Sequence, residues 1–88
     1  MDTKIDVTFN LGQGQLTIIL SRGGKQLSKQ KVSQTGSITF EDTQVGDGIS
    51  IDGICTGTAK VHIHSTNTIS KTPIEYPEGN ILDDFELI

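Results

Sequence analysis

Between Thr58 and Ser65 the chain alternates, with Ala59, Val61 and Ile63 on one parity and Lys60, His62 and His64 on the other. Side chains that repeat every two residues belong to a β-strand with one buried face and one solvated face. The same period recurs along the chain. Lys4 to Asn10 groups Ile5, Val7 and Phe9; Ser37 to Glu41 groups Ile38 and Phe40; Gly48 to Asp52 groups Ile49 and Ile51. Nowhere do apolar residues recur at i, i+3, i+4 and i+7, and alanine, the best helix former, occurs once. Thr and Ile are abundant instead, and their branched Cβ suits a pleated, half-buried surface.

Turn signals separate these segments. Leu11 to Gly14, Arg22-Gly23-Gly24-Lys25 and Gln34-Thr35-Gly36 each carry the glycine that a tight reversal needs. Gln15 to Ser21 is more continuously apolar and reads as a central strand. Lys25 to Ser33 has only Leu27 and Val32 apolar, and reads as an edge whose lysines discourage pairing with another chain. Leu27 and Val32 have opposite parity, which calls for a bulge or a break between them. Asp42 to Gly48 reads as a loop, and Gly53 to Gly57 as a turn or kink around Ile54 and Cys55. Thr66 to Gly79, with Pro73 and Pro77, reads as a polar segment along the surface. Asn80 to Ile88 is the last strand, with Ile81, Phe85 and Leu87 opposed to Leu82, and its apolar ending predicts a docked terminus. About seven strands spaced by turns every 8–12 residues or so predict an all-β fold, a small antiparallel β-sandwich. At 88 residues it forms a single domain, residues 1–88.

Charge narrows the function. Seven basic residues stand against eleven acidic ones, for a net charge of −4. The basic residues gather at Arg22, Lys25, Lys29 and Lys31, with no aromatic among them to stack a base, and Glu78, Asp83, Asp84 and Glu86 would repel phosphate. The basic group reads as a solvated hairpin, and no nucleic acid is expected as a partner. The longest apolar run, Leu16 to Leu20, is strand-sized, whereas a spanning helix needs about 20 apolar residues, so no membrane insertion is expected. Met1-Asp2-Thr3-Lys4 lacks the charged and then apolar stretches of a secretory signal, leaving open a cytoplasmic chain or a trimmed exported one. A single cysteine, Cys55, between Ile54 and Thr56, reads as a small core residue.

Few residues promise chemistry. His62 and His64 sit two apart on a strand, so both imidazoles point to one face and could reach one metal ion, with a third ligand such as Asp52 or Asp47 from a neighbouring strand. The spacing lacks the later Glu, Gly and His of the cupin signature. Gly12-Gln13-Gly14 and Gly46-Asp47-Gly48 do not open a helix, so they read as β-turns and not as phosphate cradles. Asp83 and Asp84 are adjacent and must point to opposite faces. No cofactor and no enzymatic activity are expected. Within Thr66–Gly79, Tyr76 is the one aromatic expected at the surface, the alternative being that it covers one end of the core, and Tyr76, Glu75 and Asn67 are the candidate contact residues.

The stretch from Gly36-Ser37-Ile38-Thr39-Phe40-Glu41-Asp42 through Gly46-Asp47-Gly48-Ile49-Ser50-Ile51 resembles the core of transthyretin-like β-sandwiches, including the carboxypeptidase-regulatory-like and Cna-B-type modules. The resemblance spans residues 14–65. It implies an immunoglobulin- or transthyretin-like sandwich in which the glycine turns, the aromatic fills the core and an Asp-to-Gly loop leads into the next strand. Ile49-Ser50-Ile51 departs from the aromatic-rich strand usual after that loop. The resemblance also raises the Lys–Asn isopeptide of Cna-B modules, but Lys4 has outward parity and Asn80 lacks a buried lysine partner. Such modules serve as spacers, adhesive units or assembly units. The function expected is therefore a non-catalytic module for protein binding or self-assembly. The alternatives are carbohydrate recognition and a metal-binding domain built on His62 and His64.

Overall fold

The computed structural model describes residues 2–11, 13–64 and 73–88. Among them are eight strands and no helix: β1 (Thr3–Phe9), β2 (Gln13–Arg22), β3 (Lys25–Val32), β4 (Gly36–Phe40), β5 (Gly48–Thr56), β6 (Ala59–His64), β7 (Ile74–Tyr76) and β8 (Gly79–Glu86). They form two four-stranded sheets, β4-β1-β6-β7 and β3-β2-β5-β8, with every pairing antiparallel. The alternation seen in the sequence decides the packing. Ile5, Val7 and Phe9 of β1 and Val61 and Ile63 of β6 face Leu16, Ile18 and Leu20 of β2 and Ile49 and Ile51 of β5 across an apolar interior. Each sheet alone would leave its apolar face in water, so burial of these side chains is what holds the two layers together.

The strand assignment differs from the sequence reading at two places, one of which adds a strand and one of which lengthens β5. Within Thr66–Gly79, Ile74, Glu75 and Tyr76 form β7, paired with β6 through Val61, Lys60 and Ala59. Three residues are too few to show a period. The second difference is Gly53–Gly57, which is not a turn as far as Thr56: β5 runs straight through it, paired with Gln13–Leu16 on one side and Gly79–Ile81 on the other. Gly53 is there because β2 passes close by. A Cβ at this position would overlap the Gln15 carbonyl oxygen and lie 2.9 Å from the Gln15 carbonyl carbon and the Leu16 Cα.

Elsewhere the local reading holds. Gly23 and Gly24 have φ of 59° and 79°, as the tight β2–β3 hairpin demands. The irregularity required near Leu27 is present: Leu20 pairs with Ser28 and Ser21 with Gln26, so Leu27 is the extra residue of a bulge. The bulge leaves Leu27 46% exposed while Val32 enters the core. Cys55 is buried as a free thiol, its Sγ 3.1 Å from the Gly57 carbonyl oxygen. Leu87 is fully buried, accepts from the Gly46 amide and donates to the Asp47 carbonyl, so the end of β8 is docked. No helix of the described residues is long and apolar enough to cross a membrane.

Candidate functional site

Long-range pairing brings together polar residues that are far apart in sequence. On the outer face of β4-β1-β6-β7, Asp6 lies between Ser37 on β4 and His62 on β6. The two imidazoles do share this face, with ring centroids 3.9 Å apart and planes tilted by 38°. Their acidic neighbour is Asp6. Asp47 and Asp52, suggested by the sequence as third ligands, belong to the other sheet and its loop, because β6 pairs with β1 and β7 and not with β5. Among the described residues no three His, Cys, Asp or Glu side chains come together to hold a metal ion.

Asp6 organises this face. Ser37 Oγ donates to Asp6 Oδ1 at 2.5 Å, His64 Nε2 lies 2.6 Å from Asp6 Oδ2, and Lys4 Nζ is 3.9 Å from Oδ1. The hydrogen bond from Ser37, reinforced by His64 and Lys4, holds the Asp6 carboxyl below the ordinary aspartate range against a smaller opposing effect of desolvation. Ionised Asp6 only accepts, so His64 donates from Nε2. The order Ser–Asp–His puts the carboxylate in the middle. A nucleophilic hydroxyl needs the imidazole in that place, to take its proton. The arrangement therefore ties β4, β1 and β6 together across their outer surface.

Two more polar contacts are structural clasps. Asp47 is 1% exposed and receives Arg22 Nε and Nη2 at 2.7 and 2.8 Å, with the Gln44 amide at 2.8 Å. Arg22 also donates to the Asp42 carbonyl. The Arg22 fork, more than any other neighbour, holds the Asp47 carboxyl below its usual range, against desolvation. This bond fastens the loop before β5 to the end of β2. On the opposite flank, Tyr76 Oη donates to Asp83 Oδ2 at 2.8 Å and joins β7 of one sheet to β8 of the other. Burial, and then the Asp83 carboxylate, push the Tyr76 phenol above its ordinary pKa. Tyr76 is thus half-buried against the core, the second of the two placements the sequence leaves open, and not an exposed contact residue. Glu75 is exposed beside Lys60, and Asn67 lies outside the described residues. A hollow of about 340 Å³ lies where β2 begins and β5 ends, between Gln13, Gln15, Ile54 and Thr56, with no aromatic among its described lining residues.

Each sheet ends in two terminal strands, and among the described residues no strand pairs with their outer sides; the edges of the second sheet are the ones with strong charge. In β3-β2-β5-β8 the terminal strands are β3 and β8. The β3 edge and its hairpin carry Arg22, Lys25, Lys29 and Lys31 and no acid; the β8 edge carries Asp83, Asp84 and Glu86 and no base. Compared with protein-family models, with curated proteins and with solved structures, the chain matches none. The charges of both edges are plain in the sequence. Their position at opposite ends of one sheet is not, because it depends on β5 pairing with β8 and β2 with β3. The role of Asp6 is hidden in the sequence for the same reason: nothing near it signals that β6 will lie alongside.

Proposed function

We propose that this chain is a non-catalytic interaction module that holds another polypeptide through the open edges of the β3-β2-β5-β8 sheet. One observation carries the reading: among the described residues no strand pairs with the outer side of either edge, and the two edges are oppositely charged, the β8 carboxylate of Asp84 keeping a bond from Ser50 and its amide one to Asp83. An edge strand offers a row of backbone donors and acceptors to any extended chain, and side-chain charge selects which chain. Three other carboxylates serve the fold itself. Asp6 links Ser37 and His64, Asp47 holds Arg22, and Asp83 holds Tyr76. Lysines at β3 exclude basic or identical edges and attract an acidic strand; carboxylates at β8 do the reverse.

The test uses two labelled strand peptides of eight residues, one with Glu and one with Lys at alternate positions, titrated with the protein and followed by fluorescence anisotropy. The acidic peptide is expected to bind and to be lost in a Lys29→Glu, Lys31→Glu variant. The basic peptide is expected to bind and to be lost in an Asp84→Lys, Glu86→Lys variant. Binding of neither peptide, or binding indifferent to the reversals, overturns the reading.

A further inference from the structure

The strand that these edges hold can be named: we infer that the partner is a second copy of this chain, with β3 of one molecule paired to β8 of the next. This inference rests on the edge reading and goes beyond it by naming the occupant.

Direction is the first support. β3 is antiparallel to β2, β2 to β5 and β5 to β8. Four alternating strands leave the two edges running in opposite directions. A copy displaced along the sheet therefore brings its β3 antiparallel to β8.

Charge is the second. Lys29 and Lys31 lie across from Ile19 and Thr17, and Asp84 lies across from Ser50, which itself lies across from Ile19. All share the outer face of the sheet, as Glu86 does by parity with Asp84. One antiparallel register sets Lys29 opposite Glu86 and Lys31 opposite Asp84 together. In that register Ser28–Val32 runs against Asp83–Leu87. The bulge at Leu27 ends the regular edge where this contact ends. Opposite charges directly across a strand pair are favourable and like charges are not. Pairing β3 with β3, or β8 with β8, would confront like charges, so the two-fold dimers that such pairings would close are disfavoured.

The contact is head-to-tail, and such contacts propagate unless the rotation closes a ring. Four strands spaced about 4.8 Å apart advance each copy by about 19 Å. The inherent sheet twist of roughly 20–25° per strand turns each copy by roughly 80–100°.

The experiment is light scattering behind size exclusion across about a hundredfold range of concentration at about 50 mM salt, repeated at about 0.5 M salt, where charges are screened within a few ångström. The wild-type mass is expected to rise past that of a dimer with concentration and to fall at the higher salt. Each double reversal, Lys29→Glu with Lys31→Glu or Asp84→Lys with Glu86→Lys, is expected to weaken association at least tenfold. Mixing the two variants in equal amounts is expected to restore it, because each now supplies the edge that the other needs. Circular dichroism melts confirm that both variants are folded. A wild type that stays monomeric, an assembly that stops at two, or a mixture that does not associate overturns the inference. If the wild type is monomeric while the acidic and basic strand peptides still bind, only the second copy is refuted and the edge reading stands. If the peptides also fail, both fall.

Discussion

Replacing Gly53 by alanine tests the path of β5. The added methyl would overlap the Gln15 carbonyl oxygen and crowd the Gln15 carbonyl carbon and Leu16 Cα at 2.9 Å. These are backbone atoms in the middle of a ladder, so relief requires β2 and β5 to separate locally. The pairs beside the clash, Gln15 with Ile54 and Thr17 with Asp52, would loosen, and ladder hydrogen bonds contribute about 1 kcal/mol each. Leu16, fully buried at this point, would shift with its backbone. Against this, alanine is favoured over glycine in a strand by roughly 0.5–1 kcal/mol. The net loss expected is about 1–3 kcal/mol, the usual cost of overpacking. For a domain of this size each kcal/mol lowers Tm by roughly 4–8 °C. Gly48 in the same strand provides the control, because a Cβ there meets chiefly the movable Ser21 hydroxyl, at 3.0 Å. Urea unfolding of Gly53→Ala and Gly48→Ala side by side is the assay. If both variants match the wild type, β5 does not run close beside β2 at Gly53, and the turn read from the sequence at Gly53–Gly57 is restored.

Three further outcomes follow from the polar contacts. Asp47 is held below its unfolded pKa, so its contribution to stability is complete above about pH 4 and is lost as the pH falls towards the folded value; Asp47→Asn is expected to be less stable than wild type at pH 7, with the gap closing on acidification, and a gap constant down to pH 2 (about two units below the unfolded value) would contradict the Arg22 clasp. Tyr76 is the only tyrosine and there is no tryptophan, so absorbance near the phenolate band reports this one group; its titration midpoint is expected above that of free tyrosine, and Tyr76→Phe is expected to cost about 1 kcal/mol in denaturant unfolding. Asp6 is expected to titrate below the ordinary aspartate range by carboxyl NMR, and Ser37→Ala to move it upward; an unmoved value would remove Ser37 as its main partner.

How far the sequence carried the fold depends on the range of each interaction. Parity placed Ile5, Val7, Phe9, Ile49, Ile51, Val61 and Ile63 in the core and Lys4, His62 and His64 outside it, because side-chain alternation is a property of a single strand. The glycine pair at the β2–β3 turn and the bulge at Leu27 were equally local. The errors came where one residue type has two explanations. Gly53 looks like a breaker when only its neighbours in sequence are seen, and like a spacer once β2 is alongside. Tyr76 looks exposed between Glu75 and Pro77, yet Asp83 on the opposite sheet holds its hydroxyl. The candidate site was the least legible part. Lys29 and Glu86 are more than fifty residues apart in the chain, and their placement at the two ends of one sheet follows only when the whole strand order is known.

The strand order also sets a timetable. β1 is made early, but its partners are β4 and β6, and Lys4 waits for His64, sixty residues later. Folding that depends on such distant closures is slow, since the entropy of each long loop is spent before the contact returns anything. Of the pairings, only β2 with β3 and β6 with β7 join strands that follow one another. During that wait Ile5, Val7 and Phe9 lie bare on an unfinished strand, a surface on which chains aggregate. The first hairpin able to form is β2–β3, and it brings the lysines with it. Nascent chains therefore meet one another with like-charged, repelling cationic edges before their acidic ones have been made.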